Sequence, residues 1–436
     1  MKKLIALLLT GIMVLGMTAC GGTEEGTSST ASKETVADAS TTKKNNDPVT
    51  FMCWYDEDDM EGIIAAINAE LNGEYVVEYT FVAQSDFNNV LSTQLAAGEG
   101  PDIVADGTNF PARIKAGNVE NITDAEYLAN FNEAGFALCS DGDTIYGIPS
   151  YGWFSGLWYN KDIFEQNGIT EVPTTFDEFV TVCDTLAAKG VQPLGFGLAD
   201  GDTALHSLLG YLENSFYHNN SANPDGISFD VQFAKGEKTM NGSLNSSVEK
   251  WYTLVEKGYI NTDMLGISND QALADFMAGK TAMFNGGPWQ YSSFSDAGMN
   301  FGMMPHLSES GENKYMVGGP AVNFGINVNS KNKEGAQAVM EALASVAVQQ
   351  AFVDANVGGF SYCAGVNAQM PEEYNDIKDI IDAGNIACSW DRWSVNMPSQ
   401  SLFDEAKSVL QGLITGDYGV EDYLQALDDV AASIRY

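Results

Sequence analysis

Trp54, Tyr151, Trp153, Trp289, Trp390 and Trp393 supply flat rings, and Asp56, Glu57, Asp106, Asn109, Asp202, His206, Asp391 and Arg392 supply short polar or planar groups. Together they suit one kind of chemistry, the holding of a polyhydroxylated ring. Such a ring has apolar C–H faces that flat aromatics cover, and a hydroxyl rim that carboxylates, amides and guanidinium groups take in paired hydrogen bonds. Each polar residue alone also fits a helix cap or a surface charge. Trp54 fits a core position equally well because it ends a buried run, His206 fits a helix interior, and Arg392 fits an ion pair with Asp391.

Catalytic patterns are missing where they would be most recognisable. No P-loop or H-E-x-x-H occurs, Gly359-Phe360-Ser361-Tyr362-Cys363 lacks the last glycine of a nucleophile elbow, and Gly195-Phe196-Gly197 lacks the third glycine of a dinucleotide loop. Acidic pairs are too abundant for counting to decide a glycosidase dyad, so a surface glycoside hydrolase stays open. The runs Asp56 to Asp59 and Asp141-Gly142-Asp143 lack calcium-loop spacing, so no metal and no cofactor is expected.

The elements that position these residues can be read from periodicity. Pro48 to Trp54, Tyr75 to Val82 and Pro101 to Val104 read as strands, alternating with helices over Met60 to Leu71 and Asp86 to Ala97. This makes an α/β unit with a mostly parallel sheet. Ligands of open α/β sheets sit beyond the carboxyl ends of strands, which points at Trp54 to Glu57 and at Asp106 to Asn109. Further on, Asn160 or Asp162 caps one helix, Thr175 and Glu178 form a capping box, and a helix starting near Asp202 carries His206. Gly286-Gly287-Pro288 turns the backbone sharply and sets Trp289 at a helix start.

Three runs carry a family resemblance. Tyr146-Gly147-Ile148-Pro149, Tyr159-Asn160-Lys161-Asp162, Phe164, Gly168, Pro173-Thr174-Thr175-Phe176 and Glu178 form the first, Leu95 to Ile103 the second, and Gly279 to Gln290 the third. Their order and spacing resemble the extracellular solute-binding proteins of ABC importers, in the carbohydrate-binding family that includes the maltose-binding protein. The resemblance spans Val49 to Ile434. It implies a two-lobed α/β fold of the periplasmic-binding-protein kind (type II), with Trp289 facing the ligand. It also implies three crossings, near 150 to 153, 317 to 320 (where Gly319 joins the site) and 345 to 348. Lobe 1 would then be 48–151 with 320–346, and lobe 2 would be 152–319 with 347–436. The partners it implies are a carbohydrate and the permease subunits of the importer; the chain itself is expected to act as a monomer, not as an enzyme. A polyamine is the alternative solute.

The 436 residues carry 21 Lys and Arg against 59 Asp and Glu, a net charge of −38 that argues against nucleic-acid partners. At the start, Lys2 and Lys3 precede the apolar run Leu4 to Val14, which reads as a signal peptide over 1–19. Met17-Thr18-Ala19-Cys20 resembles a lipoprotein processing box with Met at the usual Leu position, which would make Cys20 the lipid-bearing residue. Plain secretion is the alternative. Residues 20–47 are small and polar and read as a flexible tether, so the membrane is met only through the anchor, on the extracellular face and in a Gram-positive setting. Cys53, Cys139, Cys183, Cys363 and Cys388 form no C-x-x-C; they read as free thiols, with a Cys363 to Cys388 bridge as the other option.

Overall fold

The computed structural model describes residues 47–199, 201–218, 228–388, 397 and 400–435. The signal peptide, Cys20 and residues 20–46 of the expected tether lie outside the described residues. No described helix is long and apolar enough to cross a membrane.

The first sheet begins with β1 (Val49–Cys53), β2 (Val77–Phe81) and β3 (Ile103–Asp106), all parallel. A small β4 (Ser140–Asp141) and β5 (Thr144–Ile145) hairpin follows, and then β6 (Ile148–Pro149). The second sheet is built from β7 (Gly152–Asn160), β8 (Gln192–Gly195), β9 (Thr281–Gly286), β10 (Phe301–Met304) and β11 (Met316–Pro320). After it come β12 (Asn323–Ile326), which returns to the first sheet, and β13 (Ile386–Ala387), which joins the second. The strand orders are β2-β1-β3-β12-β6 and β13-β11-β7-β9-β8, with β10 also on β7.

The parallel sheet expected from the N-terminal pattern is thus only part of the first lobe. β12 enters antiparallel between β3 and β6, with Asn323 opposite Asp106 and Pro149. Local periodicity cannot show such a long-range insertion.

Each sheet has its own core. Phe51, Ile63, Ile67, Phe324, Val339 and Phe352 fill the first. The second lobe is packed on both faces of its sheet because β7 alternates. Leu157 and Tyr159 face one cluster with Leu205, Leu208 and Trp251, whereas Phe154 and Trp158 face another with Phe276, Phe284 and Tyr374. Caps fix the helix starts. Asn160 accepts from Ile163 N at 3.0 Å, and Thr175 accepts from Glu178 N at 3.2 Å while the Glu178 carboxylate takes Thr174 N and Thr175 N. Those donors hold the exposed Glu178 carboxyl below its usual range.

The sheets are joined by a continuous two-stranded ribbon. Past the Pro149 and Asn323 pair, Ser150 N donates to Val322 O (2.8 Å) and Ala321 N to Tyr151 O (2.9 Å), before Gly152 meets Pro320 in the second sheet. A third segment clamps this ribbon, since Gly152 N donates to Phe360 O at 2.7 Å and Phe360 N to Gly152 O at 3.1 Å. Phe360 packs against the cores of both lobes.

The third passage falls later than expected. Helix Val346–Ala355 buries Val348, Phe352 and Val353 in the first core, with Tyr362 and Cys363 beside them, while Tyr374, Ile377 and Ile381 lie in the second. The chain therefore changes lobes between Cys363 and Tyr374 and not near 345 to 348. An amphipathic face shows that a helix packs, but not on which lobe. The five described cysteines are free thiols, so no Cys363 to Cys388 bridge forms.

Gly152 has no room for a side chain, because a Cβ would lie 2.1 Å from the Phe360 ring. Gly152→Ala should lower unfolding stability by about 1–3 kcal/mol, as overpacking does. Urea denaturation checks this, and Gly152→Ala combined with Phe360→Ala should recover part of the loss.

Candidate functional site

Strand β7 carries the centre of the candidate site. Trp153, one residue past the ribbon, lies on the face of β7 that looks toward helix Asp202–Leu212 and also packs against the first lobe's core. Its ring centroid is 5.9 Å from that of Trp289, at 62°, and 6.1 Å from that of His206. Trp289 follows the end of β9 in the short turn Pro288–Gln290 and is 45% exposed, an unusual state for a large indole unless something covers it. Its ring folds back over Gly287, where a Cβ would come within 2.3 Å, and Gln290 Oε1 holds the turn by accepting from Gly287 N at 2.8 Å. Gly319 lies opposite Trp153 across the β7 and β11 ladder, at φ +150°, with the half-buried Cys388 sulfur where its side chain would be.

Trp153, His206, Trp289 and Gly319 are therefore brought together. A second group lies at the carboxyl ends of β1 and β3. Trp54 is half-buried, edge-on to Phe87 (4.9 Å, 78°) and close to Gly107. Asp56 and Glu57 are exposed at the start of helix Glu57–Leu71, where Asp56 accepts from Asp59 N at 2.9 Å. Asn109 is half-buried and precedes helix Phe110–Lys115, and its side chain caps no N–H of that helix.

Two expected contacts turn inward instead. Asp106 is 3% exposed and its carboxylate is already engaged: Arg113 Nε lies 2.8 Å from Oδ2 and Gly107 N donates to Oδ1 at 2.8 Å. Arg113 in turn donates to Ser92 Oγ and Asn88 Oδ1. Burial raises the Asp106 carboxyl, and Arg113 acts against that rise. Tyr151 is also buried, which raises its hydroxyl pKa, with Tyr55 acting against that rise. Tyr55 lies within the stretch Trp54 to Glu57 that the strand-end rule points at, although it was not named as a contact by itself; its backbone carbonyl accepts from Tyr79. Trp390, Asp391, Arg392, Trp393 and the Asp202 side chain lie outside the described residues.

Behind His206 sits a second imidazole that the sequence did not single out. His306 follows β10, is 5% exposed against Gly210 and leaves Nε2 without a partner. Burial first and His206 second depress its pKa to about 3. Elsewhere, a cavity of about 850 Å³ opens between residues 120–127 and helix Lys333–Leu343, lined by Glu120, Asp124, Glu126, Tyr127 and Glu341. None of the described stacking candidates lines it. Among the described residues no group of His, Cys, Asp and Glu is placed to hold a metal ion.

Asp106→Ala should destabilise the fold by about 3–5 kcal/mol, because it strands a buried guanidinium; urea unfolding measures it. His306 gives a pH signature. It stays neutral when folded but binds a proton when unfolded between its ordinary 6.5 and about 3, so stability falls as pH drops through that window. The slope from one such proton is at most about 1.4 kcal/mol per pH unit, and His306→Leu should remove it from the stability profile.

Comparison with known proteins agrees with this architecture. The family model for bacterial extracellular solute-binding proteins matches residues 56–350. The multiple sugar-binding protein of Streptococcus mutans is 23% identical over 319 residues, covering 72% of this chain and 75% of that protein. The galactooligosaccharide-binding protein of Bacillus subtilis is 23% identical over 354 residues, covering 79% and 77%. A family 1 extracellular solute-binding protein from Bifidobacterium longum subsp. infantis superposes with a TM-score of 0.68 at 21% identity, over 89% of this chain and 99% of that one. With its two sheets, the ribbon between them and the exposed indole beside the junction, the chain belongs to the family of bacterial extracellular solute-binding proteins.

Proposed function

We propose that the chain captures a carbohydrate, specifically an oligosaccharide, between its two lobes and delivers it to the permease subunits of an ABC importer. The observation that carries this reading is the exposed Trp289 indole, held at a steep angle to Trp153 next to the junction of the lobes. A flat apolar surface of this kind suits the C–H face of a sugar ring, and the half-buried Asn109 and His206 suit its hydroxyls. The names of the relatives in Streptococcus mutans and Bacillus subtilis point to the same ligand class.

The mechanism is hinge closure about the ribbon of Ser150 to Gly152 and Pro320 to Val322. Sugar contacts made by both lobes exist only in the closed form, so binding free energy shifts the population toward it. The closed monomer docks on the permease, and ATP is consumed by a partner. The residues here hold a ligand and change no bond in it. Cys20 carries the lipid that keeps the protein on the extracellular face of a Gram-positive membrane. Several acyl methylenes, each contributing roughly 0.8 kcal/mol when buried, make such an anchor stable.

A thermal-shift screen over mono-, oligosaccharides and polyamines tests the reading. A sugar at about 100 times its Kd should add about 2.7 kcal/mol of stability. Trp289→Ala should weaken its binding by about 2 kcal/mol, roughly thirtyfold, with the unliganded melting point little changed. A polyamine response without a sugar response would reverse the ligand assignment, and cleavage products from the sugar would replace the receptor with a hydrolase.

A further inference from the structure

The rings of the candidate site do not lie in one plane. Trp289 and Trp153 meet at 62° with their centroids 5.9 Å apart, and His206 is tilted 39° from Trp153 at 6.1 Å. Trp289 is 45% exposed, while Trp153 and His206 are half-buried and keep some surface open to solvent. The row therefore makes a corner and not a flat platform.

Both indoles are held at that angle. The Trp289 ring lies over Gly287, where a Cβ would come within 2.3 Å of it, and Gln290 fixes the turn by accepting from Gly287 N. Trp153 is set by its place opposite Gly319 in the β7 and β11 ladder, and it packs against the first lobe's core. An edge-to-face approach is also one of the arrangements that ring quadrupoles favour. Bringing the two indoles into one plane would require Trp289 to leave its seat on Gly287 or Trp153 to leave the core.

This corner discriminates among sugar chains by shape. In a β-1,4-linked chain of glucose-type sugars every link is equatorial, so successive rings form a flat ribbon whose apolar faces lie in nearly one plane. A link through an axial oxygen, or through an exocyclic methylene, turns one ring out of the plane of the next. A flat ribbon seated on Trp289 can use only one of the two indoles, whereas a bent chain lays a ring on each. We propose that the site selects bent oligosaccharides, with an axial or 1,6 link between the two sugars that stack on Trp289 and Trp153, over flat, equatorially linked chains. This rests on the oligosaccharide reading above and adds the shape of the ligand to it. The 5.9 Å between the centroids is about the distance between adjacent rings of such a chain, so the two indoles serve neighbouring sugars. Selectivity of this kind is a difference of affinities, set by the stacking contact that the wrong shape gives up.

Calorimetric titration of the protein with two sets of trisaccharides tests the proposal. The bent set holds the α-1,4 and α-1,6 trisaccharides of glucose and the α-1,6 trisaccharides of galactose and mannose. The flat set holds the β-1,4 trisaccharides of glucose, mannose, xylose and N-acetylglucosamine. The tightest member of the bent set should bind roughly tenfold more tightly than any member of the flat set, the value of about one stacking contact. Trp153→Leu, which keeps an apolar side chain against the core, should remove most of that advantage. A flat chain bound as tightly as the best bent one, or a preference unchanged in Trp153→Leu, would overturn the shape assignment and leave the oligosaccharide reading standing. Silence from every sugar would overturn both.

Discussion

The two-stranded ribbon that runs through both sheets is the constraint on which the rest of the molecule depends. Ser150 to Gly152 and Pro320 to Val322 stay hydrogen-bonded to one another across the junction, so neither lobe can rotate without bending a paired backbone. Paired strands bend and twist more readily than they separate, because separation exposes donors and acceptors that folding has taken from water. The clamp of Phe360 on Gly152 adds a third backbone connection at the same point. Trp153 comes one residue later, so the ring beside Trp289 is placed by the same backbone that joins the lobes.

The polar side chains divide by what surrounds them. Asp106 sits at a strand end where a ligand would be expected, yet Arg113, seven residues on, folds back and takes its carboxylate. Removing two charges from water is costly unless the pair is fully hydrogen-bonded, and this one is: Ser92, Asn88 and Gly107 N complete it. Tyr151 is likewise buried among the first lobe's core residues. The Asp106 network ties the carboxyl end of β3 to helices Gln84–Ala97 and Phe110–Lys115, beside Asn109.

Much of the architecture was legible because it is local. Met60, Ile63, Ile67 and Leu71 repeat at helical spacing and are buried, and the Thr175 and Glu178 box starts its helix as written. The glycines before Trp289 likewise announced a turn, which is the one that lets the ring fold back. What could not be read depends on distant partners. Nothing in residues 321–328 says that the strand enters antiparallel between β3 and β6, and nothing in Val346–Ala355 says which lobe receives its apolar face. Asp106 and Tyr151 were read as outward because residue type and strand position are the same for a ligand contact and for a satisfied core pair. His306 gave no signal at all, since its meaning comes from Gly210 and His206, which only the fold brings beside it.

The charge balance bears on what such a junction can accept. With 59 acidic residues and 21 basic ones, most carboxylates have no cation to meet. The sequence places several at helix starts, where Glu57, Asp58, Asp59, Asp177, Glu178, Glu421 and Asp422 face unpaired N–H groups and the positive end of the helix dipole. The few lysines are largely bound to neighbouring carboxylates, as at Lys257 with Asp184 and Lys280 with Asp275. An anionic solute would approach this surface against a repulsive field and find few free cations when it arrived. A neutral solute feels neither effect, and its affinity then rests on apolar stacking and on hydrogen bonds exchanged with water. For that the molecule offers an indole in solvent, and it has placed that indole where its two halves meet.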